Sequence, residues 1–320
     1  MLQLVNSSNY TSDLSMIHNS PDCLQAFLNY HHLDGLEMMF CAPWDRKIHK
    51  KEWIQGIHLR FWPNWLDFWR GNQKALLREF NNEAGIIAYY GGLTREIWLN
   101  VYRENIHTAI QAGANYLVYH VSHARLAELY NWRFSASDRE VIEATIEVIN
   151  ELAADIPENV TLLFENLWWP GLTLKDSKLT AFLLDSVSVR HANVGIMLDT
   201  GHLMNTNASL RTQEDGIAYI LSTLSQLGSY RNYVKGIHLH HSLSGEYMSN
   251  TRSSEPHNFT ITDIMSHVMN IDQHLPFSTP EVQRIVEYVQ PEYLVHEFLH
   301  TSMDDWVQKL FCQQQALDML

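Results

Sequence analysis

Short apolar runs recur along this chain, and longer stretches of helical periodicity separate them. The runs are Leu2-Gln-Leu-Val5, Gly35-Leu-Glu-Met-Met-Phe-Cys41, Gly56-Ile-His-Leu-Arg-Phe61, Asn115-Tyr-Leu-Val-Tyr-His-Val121, Val160-Thr-Leu-Leu-Phe-Glu165, Val194-Gly-Ile-Met-Leu-Asp199, Val234-Lys-Gly-Ile-His-Leu-His240 and Tyr293-Leu-Val-His-Glu-Phe298. Runs this short and this apolar read as strands buried on both faces. Helical patterns cover residues 22–30, 73–82, 94–112, 175–186, 212–227 and 279–289, with a last one from Met303. Another opens at Ser137, whose partner three residues on, Glu140, completes a capping box. Eight strands alternating with helices predict a parallel sheet closed into a (β/α)8 barrel of class α/β. No Ser/Gly-rich linker or charge run divides it, so residues 1–320 form one domain. Residues 242–278 break the pattern: they are rich in Ser, Asn, His and Met, with a single helical stretch at 263–269. A long loop that follows a barrel strand is expected over the catalytic face.

Composition narrows the function. Hydrophobic residues make up 46% and charged residues 18%, the balance of a protein with a large core. The formal net charge is −14, which repels phosphate backbones over the surface as a whole and leaves only a local basic cleft to hold one, so nucleic acid is not the expected partner. Cys23, Cys41 and Cys312 form no CxxC pair, and their odd number cannot be fully bridged. Three reduced thiols and the lack of a basic, apolar leader suggest a cytoplasmic protein. No stretch reaches the roughly 18 apolar residues of a membrane span.

The 18 histidines matter through their placement. Strand ends carry His58, His120, Glu165, Asp199 with His202, His238 and Glu297. A lone His or Glu there is as a rule a hydrogen-bonded structural group. Together they are different, because burying Glu165, Asp199 and Glu297 uncompensated would cost several kcal/mol per charge. A shared divalent cation removes that cost, and strand ends around a ring converge on one.

In its motifs the chain resembles the xylose-isomerase-like TIM barrel superfamily of sugar isomerases, epimerases and endonuclease IV-like enzymes. The motifs are Gly56-Ile-His-Leu, Val118-Tyr-His-Val-Ser-His123, Leu163-Phe-Glu-Asn166, Met197-Leu-Asp-Thr-Gly-His202, Gly236-Ile-His-Leu and Leu294-Val-His-Glu297. The resemblance implies that Glu165, Asp199, His238 and Glu297 hold one divalent metal (Mn, Zn, Co or Mg), with Glu165 and Glu297 also the catalytic acid–base pair. In endonuclease IV-like members, residues matching His58 and His120 join Glu165 around a second zinc. The equivalent of His202 plus an Asp-x-His pair holds a third. Glu255-Pro-His257 could imitate that pair, and His241 stands where a polar Asp is expected. His123 and His240 read as supporting groups.

Glu37 resembles a substrate-pocket position of the isomerases. Trp62, Trp168 and Trp169 follow strands three and five, where aromatic rings would stack on a substrate or pack the helical shell. The resulting expectation is a metal-dependent isomerase or epimerase of a small sugar, polyol or sugar phosphate, using one ion. The alternative is a zinc-dependent hydrolase related to endonuclease IV, with two or three ions and a small-molecule or phosphodiester substrate. A carbohydrate-like small molecule is the expected partner, and self-association is left open.

Overall fold

The computed structural model describes residues 1–188, 191, 193–251 and 261–319. Eight parallel strands close into a barrel in chain order: β1 (Leu2–Ser8), β2 (Gly35–Met39), β3 (Ile54–His58), β4 (Tyr116–His120), β5 (Thr161–Glu165), β6 (Val194–Asp199), β7 (Val234–Leu239) and β8 (Tyr293–His296). Each falls within two residues of its apolar run, apart from the longer end of β1 and the earlier end of β3. Helices lie between the strands, and the capping box at Ser137 and Glu140 opens the helix Asp138–Leu152 as expected. The 279–289 pattern begins as a 3-10 turn at Pro280–Val282 before the helix Gln283–Val289. Among the described residues no helix is long and apolar enough to cross a membrane.

Side chains alternate along a strand, so every second residue points into the barrel. Leu4, Tyr116, Val118, Leu163, Met197 and Val295 meet there as a small apolar cluster. The intervening residues, such as Leu162, Phe164, Ile196 and Leu198, join the larger core between strands and helices. Tyr116 fills space that β3 leaves by carrying Gly56, since a side chain at 56 would overlap the tyrosine ring. Continuing the alternation beyond Leu163, Met197 and Val295 brings Glu165, Asp199 and Glu297 to the next inward position. The polar site is thus the top layer of the barrel interior.

A second apolar cluster sits above that layer. Ala124, Leu129, Tyr130, Leu167, Trp168, Trp169, Met248, Ile264 and Ile271 come from the segments after β4, β5 and β7. They roof the polar layer at the strand ends.

Candidate metal centre

Glu165 is the hub. Its Oε2 lies 3.0 Å from both His58 Nε2 and His120 Nε2, and its Oε1 lies 3.2 Å from His202 Nδ1 and 3.5 Å from His238 Nδ1. Four imidazoles from four elements therefore surround one fully buried carboxylate. His58 Nδ1 faces the Leu59 carbonyl at 3.1 Å, and a carbonyl only accepts. Glu165 Oε2 likewise only accepts, so without a cation the ring donates from both nitrogens; burial works to lower it, and Glu165 lifts it above its ordinary value.

The Asp-x-x-His spacing of β6 has a local cause. Asp199 is the N-cap of the helix Thr200–Asn205, and its Oδ1 accepts the His202 N–H at 2.6 Å. Its other oxygen, Oδ2, stays in the site, 2.9 Å from His240 Nε2 and 3.8 Å from His238 Nδ1. Asn166 ties β5 to β6: its amide donates to the Asp199 carbonyl and accepts the Asp199 N–H, each at 2.9 Å. Glu297 Oε2 lies 3.2 Å from His238 Nδ1. His238 thus presents one nitrogen to Glu165, Asp199 and Glu297.

His202 looks away from this centre through Nε2, which meets Asp272 Oδ2 at 3.1 Å. His274 Nε2 reaches the same oxygen at 2.7 Å. These two residues come from the end of the long loop, after the helix Ile261–Ile271. A two-residue antiparallel bridge, His241 with Leu275, returns the loop to the tip of β7. His274 takes a left-handed backbone, φ +47°, beside that bridge.

Among the described residues, Asp272 and His274 are the Asp-x-His pair that meets His202, the residue for which the sequence suggested Glu255-Pro-His257. Glu255 and His257 lie outside the described residues. The sequence carries a signal for the pair found here, an Asp and a His two apart, and its acid is Asp itself.

Four sets of donors result among the described residues, each with ligand atoms within 4.8 Å of one another: Glu165, Asp199 and His238; His58, His120 and Glu165; His202, Asp272 and His274; and His240, His274 and Glu297, which shares its members with the others. Buried Oε1 of Glu165, Oε2 of Glu297 and Oδ1 of Asp272 receive no hydrogen bond. Carboxylate oxygens left so are costly unless a cation satisfies them, so the donor set fits divalent metal. The imidazoles suit zinc, cobalt or manganese better than magnesium.

Protonation follows the same geometry. Burial raises the Glu165 carboxyl, but the rings of His120 and His238 outweigh it and hold the group well below the usual range. Burial pushes Asp199 up to about 6, against the pull of His202. Desolvation works to lower His202, His238 and His274. Asp199 and Asp272 nonetheless lift His202 well above its ordinary value, and Glu297 and Glu37 do the same for His238. Asp272 lifts His274 to about 9. Burial lowers His120 and raises Glu297. Without cations, the site balances its carboxylates with protons on these rings.

The other expected pocket residues separate. Glu37 is buried, accepts from Tyr116 Oη at 2.8 Å, and lies behind His238 rather than toward open space. Trp62 belongs to the helical shell, packed 5.1 Å from Tyr102 and 5.7 Å from Trp98, with Nε1 donating to the Tyr89 carbonyl. Trp168 does reach the site, its ring 5.0 Å from that of His202 and 4.8 Å from Trp169.

A closed eight-stranded parallel barrel with its polar layer at the strand ends defines a (β/α)8 protein with donors placed for a cation. More narrowly, the chain belongs to the xylose isomerase-like TIM barrel family, whose model matches residues 33–282. Solved structures of the same fold include a putative xylose isomerase from Rhodospirillum rubrum (13% identity, TM-score 0.59, covering 99% of this chain and 98% of that one). Endonuclease IV from Thermus thermophilus is similar at 13% identity and TM-score 0.54, covering 100% of both chains. A D-tagatose 3-epimerase-like protein matches at 13% identity and TM-score 0.54, over 100% of this chain and 98% of that one. No curated protein matches the chain in sequence.

Proposed function

We propose that this chain is a multinuclear metal-dependent hydrolase acting on a small phosphate ester. The observation that carries the proposal is the meeting of His202 with Asp272 and His274. Both ring nitrogens of His202 are engaged, Nδ1 with the Asn166 carbonyl at 2.9 Å and Nε2 with Asp272. A ring so occupied has no free nitrogen for a sugar hydroxyl, which the single-ion isomerase reading requires of it.

Divalent cations supply Lewis acidity toward phosphoryl oxygens and acidify a water, the two needs of ester hydrolysis. Three of them would exceed the charge of Glu165, Asp199, Asp272 and Glu297 by two positive units. Such a surplus attracts a phosphate group and serves no purpose toward a neutral sugar. The protein's own part is placement. Glu165 holds two donor sets in one frame through its two oxygens, Asn166 fixes Asp199, and Trp168 keeps water from the His202 side.

The roof limits the substrate. The side chains of His58, His120, His202, Asp272 and Glu297 are each no more than 13% exposed. A small ester suits that opening better than a duplex, and the net charge of −14 also disfavours DNA.

The test is turnover of p-nitrophenyl phosphate and bis(p-nitrophenyl) phosphate by the zinc- or manganese-loaded protein. Hydrolysis of at least one is expected, with a loss of about a hundredfold or more in Glu165→Gln. Deuterium uptake from heavy water beside a ketose carbonyl, without phosphate release from either ester, would instead favour the isomerase reading.

A further inference from the structure

The return of the long loop carries Asp272 and His274, so its fastening decides how they reach His202. Ser242 Oγ accepts the Gln273 N–H at 2.9 Å, and His241 and Leu275 exchange backbone hydrogen bonds. Nearer the surface, Gln213 Oε1 accepts the Ser278 N–H at 2.9 Å. Between these ties lies Phe277, which is fully buried. Its N–H donates at 3.0 Å to Gln313 Oε1, on the helix Met303–Ala316.

Gln313 is also fully buried, and its amide is used at both ends. Nε2 donates to the Leu239 carbonyl and to His296 Nδ1, each at 2.9 Å. A peptide N–H only donates and a carbonyl only accepts, so Phe277 and Leu239 fix which way the amide faces. The partners lie beside the donors of the centre: Phe277 is three residues past His274, Leu239 follows His238, and His296 precedes Glu297. One amide therefore ties together the loop's return, β7 and β8. Next to it in the helix, Gln314 is buried too, but it bonds to His31, after the helix Pro21–Tyr30 and away from the loop.

We propose that Gln313 is a positioning residue for the ion held by His202, Asp272 and His274. It pins the loop's return to β7 and β8 and so sets how Asp272 and His274 meet His202. The inference rests on the metal reading of that set. A binding constellation must be held to within about 0.5 Å, and donors on a loop reach that only through fixed supports. Without the amide, the buried Phe277 N–H and Leu239 carbonyl lose their partners, and the return must shift to find others.

Gln313→Met keeps the side-chain volume and removes all of these bonds; Gln314→Met does the same one residue on, without touching the loop. Hydrogen exchange of the metal-free protein reads the loop, and native mass spectrometry with a competing chelator reads zinc. In Gln313→Met the amides of residues 272–279 lose protection, and the third zinc binds about 10- to 100-fold more weakly. In Gln314→Met the melting temperature falls while loop exchange and zinc affinity stay at the wild-type level. Gln313→Glu keeps the volume and an acceptor for Phe277, and it replaces Gln313→Met should that variant not fold, with the same two changes expected. The inference is overturned if the loop keeps its protection in the Gln313 variant, or if changes at 313 and 314 alter zinc affinity alike. A wild-type protein that takes no third zinc overturns the metal reading of the set, and the positioning role with it.

Discussion

Glu37 Oε1 lies 2.9 Å from His238 Nε2, on the opposite side of the imidazole from Glu165, Asp199 and Glu297. Both groups are buried, and Tyr116 Oη donates to the second Glu37 oxygen at 2.8 Å. The arrangement holds the His238 ring in place and keeps its Nδ1 for the centre. Carboxylates behind a ligating histidine set both its orientation and its basicity.

Glu37→Gln should therefore weaken metal binding without touching a ligand. The expected loss is about 10- to 100-fold in affinity, read by competition with a chelator of known strength. Affinity equal to wild type would mean that Glu37 does not act on His238.

Gly56 carries the same line of contacts one step further back. A methyl group at 56 would run into the Tyr116 ring that reaches Glu37. Gly56→Ala should cost about 1–3 kcal/mol through overpacking, seen as a lower melting temperature, and metal affinity should fall with it. A variant as stable as wild type would show that the barrel interior has slack there.

Metal affinity should rise with pH. His202 and His238 are held well above their ordinary values, and His274 stands at about 9, so at neutral pH these rings carry protons in the metal-free protein. A cation must displace those protons, so binding releases them and tightens as pH rises from about 6 toward 9. The metal-free fold behaves oppositely. The stabilisation from a raised imidazole is fully present below about 6.5 and is lost as pH climbs through the folded value. Melting curves of metal-free and zinc-loaded protein between about pH 6 and 9 should accordingly diverge with pH. Parallel curves would contradict the pairing of these rings with Asp272, Glu37 and Glu297.

Much of this centre is readable from alternation alone. In Val194-Gly-Ile-Met-Leu-Asp199 the inward positions are Gly195, Met197 and Asp199, and the same rule brings Glu165, His238 and Glu297 to the top layer. Asp272 and His274 escape that reading because no strand carries them. What brings them to His202 is the His241–Leu275 bridge, a tertiary contact that no periodicity announces. Glu37 is ambiguous for a different reason. A carboxylate inside an apolar strand says that it is buried and paired, but the partner, His238, lies five strands further along the chain.

One frame built on Glu165 is proposed to hold several cations. Counting zinc on the intact protein by native mass spectrometry, after purification without chelator and dialysis against zinc, tests this most directly. Three ions per chain are expected. A single ion per chain, with His202, Asp272 and His274 unable to take another, would contradict it.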